Sequence, residues 1–180
     1  SVASLVLTFT GAVLFDADLS TWDVSRVISL QSTFDGAASF RGVGLQTWDV
    51  SRVSSLKSTF EGAVVFNGDI SAWVVSAVTD LTATFSRAST FNVNINGWDV
   101  GKVRRTFYLK TFSQAVALNQ DLEDWVPQFA KYNAATLAAL TGYRTPSAAW
   151  AIDASELLRL GLPPADAVPD GSGACGSEAA

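Results

Sequence analysis

The chain has 180 residues, of which 48% are hydrophobic and 16% are charged, and its formal net charge is −5. This apolar content excludes a disordered polymer, and the scattered, acidic charge argues against nucleic acid as a partner, because phosphate binding needs a clustered basic surface. The absence of His excludes Ser-His-Asp and Cys-His catalysis and zinc held by His, and the single Cys175 excludes a disulfide within the chain. No apolar run reaches the roughly 18 residues of a membrane span, so we expect membrane association only through partners or regions beyond this sequence.

Tryptophan recurs in the chain at a nearly fixed interval. Trp22, Trp48, Trp73, Trp98 and Trp125 are separated by 26, 25, 25 and 27 residues. A fixed period of about 20–50 residues is typical of solenoids, propellers and other repeat arrays. The sequence therefore predicts about five 25-residue turns, for which binding over a long surface is the default function.

The first predicted turn is incomplete. Its apolar residues have the same offsets as those of a later unit, namely Phe9, Ala12, Phe15, Leu19 and Trp22 against Phe60, Ala63, Phe66, Ile70 and Trp73. Because the chain opens within a repeat and lacks Met, we expect the natural N-terminus, with any targeting information, to lie upstream.

Each turn is predicted to combine a short helix with short extended segments. In the unit that starts at Ser51, the residues Val53, Leu56, Phe60 and Ala63 form one stripe of a helix. Asp49 or Ser51 is a suitable N-cap for this helix, and Gly62 lies near its end, where a left-handed residue is often needed. Residues 66–75 are then predicted to form two short extended pieces, with a bend between them at residues 67–69, where Asn, Gly and Asp supply turn chemistry.

Two irregularities interrupt the period. One extra residue lies near Gly42 and Gly44, and two extra residues lie within 104–111. The second insertion adjoins the densest basic spot of the chain, Lys102, Arg104 and Arg105, which is a solvated face or a local anion or partner contact. We expect features specific to this protein at these two places.

The period ends after Trp125, where helix-like sequence begins over residues 126–141 and 147–160. We therefore predict an α/β repeat fold, a solenoid over residues 1–126, followed by a helical C-terminal cap over residues 127–162. Residues 163–180 are predicted to be a disordered tail or linker. Trp150 lies outside the period, and we expect it to pack the cap against the last turn, with anchoring of a partner as the alternative.

Stacked repeats would bring equivalent polar residues into columns. One column is Asp23, Asp49 and Asp99, and another is Asp18, Asp69, Asn94 and Asp121. Such oxygens could hold calcium, but they also cap helices and close turns by accepting hydrogen bonds from backbone amides, which is the reading that we favour. The acidic group of Asp121, Glu123 and Asp124 does not predict an enzyme, because no His and no pocket signature accompany it.

Thr and Trp would form columns as well. A Thr directly precedes the equivalent Phe of each repeat, at Thr8, Thr33, Thr59, Thr84 and Thr111. Such a row could suit ice binding, but we predict a tightly packed structural column. The Trp column is either a sugar-stacking platform or the interior of the solenoid, and we predict the interior.

The amino-acid sequence of the repeat resembles that of a known family. The segments Phe66–Trp73 (FNGDISAW) and Trp48–Val53 (WDVSRV) are similar to the repeats of BspA-like leucine-rich-repeat surface proteins, including mycoplasma surface lipoproteins, and the similarity covers roughly residues 5–126. The resemblance implies an LRR-like right-handed solenoid without an active site or cofactor. It also implies a cell-surface or extracellular location and a role in adhesion and protein contacts.

We therefore predict a non-enzymatic domain that binds or bridges protein partners over its exposed surface. The alternatives are an accessory or linker subunit built permanently into a larger complex, organellar or membrane-associated, and a carbohydrate- or ice-binding solenoid. The predicted partner-binding residues flank each Trp or form the basic spot: Ser20, Thr21, Gln46, Thr47, Ser71, Ala72, Asn96, Gly97, Glu123, Asp124, Lys102, Arg104 and Arg105.

Overall fold

A computed structural model describes residues 2–103, 110–120, 122, 124 and 125. The sequence repeats are termed first to fifth and comprise residues 2–26, 27–52, 53–77, 78–102 and 103–125. The predicted C-terminal cap (127–162), the tail (163–180) and Trp150 lie outside the described residues. The contacts between repeats below concern the described part alone.

The stripe predicted as a helix, residues 53–63, contains no α-helix. Its backbone amides alternate between two kinds of acceptor. The amides of Leu56, Ser58, Phe60 and Gly62 donate at 2.8–2.9 Å to the carbonyls of Asp80, Thr82, Thr84 and Ser86 in the fourth repeat. The amides of Thr59, Glu61 and Ala63 donate to carbonyls three residues earlier in the same repeat. This alternation replaces the bonds between residues four apart that define an α-helix.

Left-handed residues explain why the helix is not formed. Ser58 has φ 51° and Gly62 has φ 67°, whereas an α-helix needs right-handed φ at every position. Each left-handed residue closes a tight turn, and consecutive turns bring an apolar side chain inward every three or four residues. The predicted inward stripe is therefore correct in its residues, and the predicted left-handed conformation of Gly62 is confirmed. The equivalent segments 27–37 and 78–88 likewise contain no α-helix, and turns cover residues 31–36 and 82–87.

Regular secondary structure is sparse in the rest of the repeat. A 3₁₀ helix spans Leu45–Thr47, and isolated parallel bridges join Ser29 to Ser55 and Ser55 to Asp80. In the third repeat a turn at residues 71–72 separates 66–70 from 73–75, and neither piece forms a strand. The bend predicted at residues 67–69 is therefore wrong in position, because the turn lies at residues 71–72, and the predicted extended pieces are not strands.

Rows of backbone hydrogen bonds join neighbouring repeats. Amides of the first repeat donate to carbonyls of the second, and amides of the second donate to carbonyls of the third. The first junction contains Leu5 to Ser29, Leu7 to Gln31, Phe9 to Thr33 and Gly11 to Asp35, at 2.7–3.2 Å. A smaller number of bonds run the other way, such as those from the Ile28 amide to the Ala3 carbonyl and from the Ser54 amide to the Ile28 carbonyl. Together these bonds satisfy backbone groups that burial would otherwise penalise.

Aromatic rings pack in columns along the junctions. Phe34, Phe60, Phe85 and Phe112 stack with centroids 5.6–5.7 Å apart and planes within 8° of one another. In each of the second, third and fourth repeats, two Phe residues and two Leu or Ile residues are fully buried. Burying a side chain of this size contributes roughly 1.5–3 kcal/mol, so stacked neighbours supply the burial that a single repeat lacks.

Candidate functional site

The Trp column lies in the interior, as predicted. Trp48, Trp73, Trp98 and Trp125 are at most 4% exposed. Each indole Nε1 donates a hydrogen bond of 2.9–3.2 Å to a carbonyl of the preceding repeat, those of Leu19, Leu45, Ile70 and Ile95. A sugar needs an open ring face, so these four rings are not a sugar-stacking platform. Trp22, in the first repeat, differs because it is 38% exposed.

The Thr column is interior too. Thr33, Thr59, Thr84 and Thr111 have no exposed surface. The Thr59 hydroxyl lies 2.7 Å from the carbonyl oxygen of Leu56 and 3.0 Å from that of Leu30, and Thr33 and Thr84 repeat this pattern. A buried row cannot face ice, so the column is structural.

The aspartate columns close turns. The Asp69 carboxylate accepts hydrogen bonds from the hydroxyl and the amide of Ser71, and these bonds hold its pKa below the ordinary value. Asp23 accepts the same pair of bonds from Ser25, and Asn94 accepts one from the amide of Asn96. The favoured turn-closing interpretation is confirmed at these residues. Among the described residues, no three acidic, His or Cys side chains form a group that could hold a metal ion.

The sequence analysis missed a further polar column, which consists of Asn residues. The Asn67 Oδ1 accepts a hydrogen bond of 2.8 Å from the amide of Asn92, and the Asn92 Oδ1 accepts one of 2.9 Å from the amide of Asn119. The signal was present, because each Asn directly follows a buried residue at the same offset in three repeats. These side chains join each repeat to the next by a hydrogen bond.

Asp35 and Glu61 are carboxylates of adjacent repeats that influence each other electrostatically. Burial and the nearby negative charge of Glu61 raise the pKa of Asp35, and Arg87 opposes that effect. Arg87 forms an ion pair of 2.8 Å with Glu61. A second exposed ion pair joins Arg41 to Asp16 at 2.6 Å and lowers the pKa of Asp16.

Most of the predicted partner-binding residues lie on the surface. Those that are exposed are Ser20, Thr21, Gln46, Thr47, Ser71, Ala72, Gly97, Lys102 and Asp124. Asn96 is partly buried, because its side chain donates to the Asp124 carboxylate at 2.7 Å and accepts from the Asp124 amide at 3.0 Å. Arg104, Arg105 and Glu123 lie outside the described residues. The structure thus brings the residues beside each Trp into one exposed column, in which Thr47 Oγ1 also donates to the Ser20 carbonyl at 3.1 Å.

The first repeat carries the other candidate surface. A cleft of about 250 Å³ is lined by Val2, Leu5, Trp22, Asp23, Val24 and Val27. Its lining is mostly apolar, which is typical of a contact surface rather than of a catalytic centre.

No helix in the described part of the chain has the length and apolar character needed to cross a bilayer.

Comparison with known proteins gives one finding. A family model described as "Mycoplasma protein of unknown function, DUF285" matches residues 1–42 and residues 41–150. No curated protein and no solved structure matches the chain.

Proposed function

The chain belongs to the DUF285 family of mycoplasma proteins of unknown function, and on this premise we propose that it is a non-enzymatic repeat domain that binds a protein partner over one exposed face. The finer kinship that we propose is with BspA-like leucine-rich-repeat surface proteins. Such a domain would act at a cell surface in adhesion or in bridging two proteins.

A solenoid is the architecture that we propose for this domain. The support is the repetition of one junction, in which alternate amides of a repeat donate to the next repeat and Phe and Trp rings stack across it. Contacts between nearest neighbours alone are typical of solenoids.

The exposed column beside the Trp residues carries the proposal. Its side chains are small and polar, so a partner's backbone could approach closely. Directly beneath it, Trp48 and Trp73 are fixed by stacking at 6.4 Å and by hydrogen bonds to backbone carbonyls. A surface that is already rigid loses little conformational entropy when it binds, which favours affinity for a given area.

Introducing two arginines tests this surface. We expect Thr21→Arg with Ala72→Arg to abolish capture of the partner by the immobilised chain, because both side chains would project between the two proteins. The thermal unfolding temperature should stay within about 2 °C, since surface changes rarely exceed about 0.5 kcal/mol. The measurement is affinity capture from extracts of the source cells, with the captured proteins compared by mass spectrometry.

The matched control places the same two arginines in another exposed column, Val13→Arg with Val64→Arg. Capture should survive in the control. Equal capture by both double variants would show that the face beside the Trp residues is not the binding site.

A permanent accessory subunit is the second candidate, and the apolar N-terminal end with its half-exposed Trp22 favours it. Such a surface is typical of contacts that are covered throughout the life of a protein. The native particle size separates the candidates, because a subunit purifies within a larger assembly and a binding domain purifies free.

A further inference from the structure

Two dipeptides of the chain are chemically labile. The sequence contains six Asn residues, and Gly follows two of them, in the pairs Asn67-Gly68 and Asn96-Gly97. An Asn side chain is labile because the amide nitrogen of the next residue can attack its Cγ and close a five-membered ring. Glycine permits this attack most readily, since it has no Cβ and adopts the widest range of backbone conformations. The structure gives the two pairs different surroundings.

Packing between the second and third repeats requires glycine at position 68. A Cβ on Gly68 would lie 2.6 Å from the Gly42 carbonyl oxygen and 2.8 Å from the Gly42 Cα. At the equivalent site of the fourth repeat, Asn92 is followed by Val93. The irregular segment of the second repeat therefore imposes on the third repeat an Asn-Gly pair that the fourth repeat lacks there.

The surroundings of Asn67 favour ring closure. Asn67 is exposed to water, and its Oδ1 accepts the Asn92 amide at 2.8 Å. That donor would stabilise the negative charge that develops on Oδ1 when a nucleophile attacks Cγ. Among the described residues, none accepts a hydrogen bond from the Asn67 Nδ2 or from the Gly68 amide. Neither the attacking nitrogen nor the leaving nitrogen is therefore held back by a bond in this part of the chain.

The surroundings of Asn96 oppose the same reaction. Asn96 is partly buried and lies in a turn with Gly97. Its Nδ2 donates to the Asp124 carboxylate at 2.7 Å, and its Oδ1 accepts the Asp124 amide at 3.0 Å. The side chain is thus held at both ends, and the negative carboxylate disfavours a second negative charge on the attacked amide.

We propose that Asn67 is a self-modification site, at which the Gly68 amide nitrogen attacks the Asn67 Cγ. The new N–C bond replaces the bond from Cγ to Nδ2, and the side-chain nitrogen leaves as ammonia with the proton given up by the Gly68 amide. Water then opens the cyclic imide at either of its two carbonyls. The net reaction consumes one water and yields one ammonia and a carboxylate, and it is independent of partner binding.

The two products differ in their effect on the fold. Opening at one carbonyl gives Asp, whose oxygen can still accept the Asn92 amide, as the Asp16 Oδ1 accepts the Arg41 amide at 3.0 Å. Opening at the other carbonyl gives an isoaspartyl residue, which lengthens the main chain by one methylene beside the tight contact of Gly68. The first product should keep the unfolding temperature of the parent, and the second should lower it.

The experiment incubates the folded chain in neutral buffer made with H₂¹⁸O and follows the peptides of both Asn-Gly pairs by mass spectrometry. The label marks conversion during the incubation, and an isoaspartyl methyltransferase identifies the product that only a cyclic imide can give. We expect Asn67 to convert at least about tenfold faster than Asn96, the factor that one charge-assisted hydrogen bond supplies when it must be broken. In concentrated urea the ratio of the two rates should fall towards one.

Asp124→Ala is the matched variant, because it removes the carboxylate that holds Asn96. It should accelerate conversion of Asn96 and leave that of Asn67 unchanged. Asn67→Asp should abolish isoaspartyl formation at position 67 and keep the unfolding temperature within about 2 °C of the parent. Conversion of Asn96 as fast as that of Asn67 in the folded chain overturns the proposal, and so does an Asn67 that converts only after unfolding in urea.

Discussion

In the second, third and fourth repeats, one buried Thr hydroxyl lies near carbonyls of two neighbouring repeats. The Thr59 hydroxyl lies within hydrogen-bonding distance of the Leu56 carbonyl of its own repeat and the Leu30 carbonyl of the previous one. A Val of the same shape would fill the space but could not donate. The recurrence of Thr at this offset therefore follows from a polar need inside an apolar core.

Thr59→Val should lower the free energy of unfolding by about 0.5–1.5 kcal/mol, the usual net contribution of a hydrogen bond. The carbonyls of Leu30 and Leu56 keep their backbone partners, so a larger loss is not expected. Urea unfolding measures the change. Thr8→Val is the matched control, since Thr8 is exposed and reaches one carbonyl, and its cost should be clearly smaller. Equal costs at the two positions would contradict this account of the column.

At the scale of the element, the sequence predicted which side chains point inward but not the backbone that carries them. Apolar residues spaced by three and four suit a helix and a chain of tight turns equally well. Gly36 and Gly62 mark left-handed turns openly, but Ser58 and Arg87 adopt φ of 51° and 59° without any glycine signal. Such a residue costs roughly 1–2 kcal/mol when it is not glycine, and bonding to neighbouring repeats, which a local pattern does not contain, offsets that cost.

The sequence predicted some of the polar and aromatic columns of the candidate site and missed one of them. The burial of the Trp and Thr columns and the turn-closing Asp residues follow from residue chemistry, and these predictions are confirmed. The Asn67 and Asn92 column was missed because each side chain bonds an amide 25 or 27 residues away, a contact created by stacking rather than by local sequence. Which exposed column a partner binds stays a prediction, because exposure does not identify a partner.

The extra residue in the second repeat is accommodated by glycine. Gly44 has φ 90°, and a Cβ there would lie 2.2 Å from the Ser20 backbone nitrogen. Gly44→Ala should therefore cost more than the roughly 1–2 kcal/mol of a left-handed alanine alone, since backbone must also move. Two control variants separate the cost of the left-handed φ from the cost of the close contact. Gly11→Ala has a left-handed φ of 69° with open space, and Gly97→Ala has open space without that φ.

We expect the unfolding free energy to fall in the order Gly97→Ala, Gly11→Ala, Gly44→Ala, as measured by thermal and urea unfolding. A Gly44→Ala variant as stable as Gly11→Ala would show that the tight contact with Ser20 is relieved without cost.

The whole molecule combines carboxylates with opposite responses to pH. Asp16, Asp23 and Asp69 have pKa values lowered by hydrogen bonds, so their stabilisation is present above the unfolded pKa of about 3.9 and is lost as pH falls through their folded pKa. Asp35 has a raised pKa, so its contribution is greatest when protonated and is lost as pH rises through its folded pKa. The acidic net charge adds general repulsion at neutral pH.

Asp35→Asn should therefore raise the unfolding temperature at pH 7, because it removes a half-buried charge beside Glu61. The gain should shrink below about pH 4, where the wild-type carboxyl is protonated in both states. Asp69→Asn is the matched comparison, since Asn94 occupies the equivalent position naturally. It should lower the unfolding temperature at pH 7 and leave it nearly unchanged in acid. Unfolding curves recorded from pH 2.5 to 8 check both signs, and the same response in the two variants would contradict the assignment.

The direction of the bonds between repeats has a mechanical consequence. The amide–carbonyl rows, the indole bonds and the Asn column all run from one repeat to the next rather than along the chain. A pull applied to the two ends of the chain therefore loads the outermost junction first and opens its bonds one after another. Under tension the molecule should lengthen in steps of one repeat at low force, behaving as an extensible tether rather than as a rigid strut.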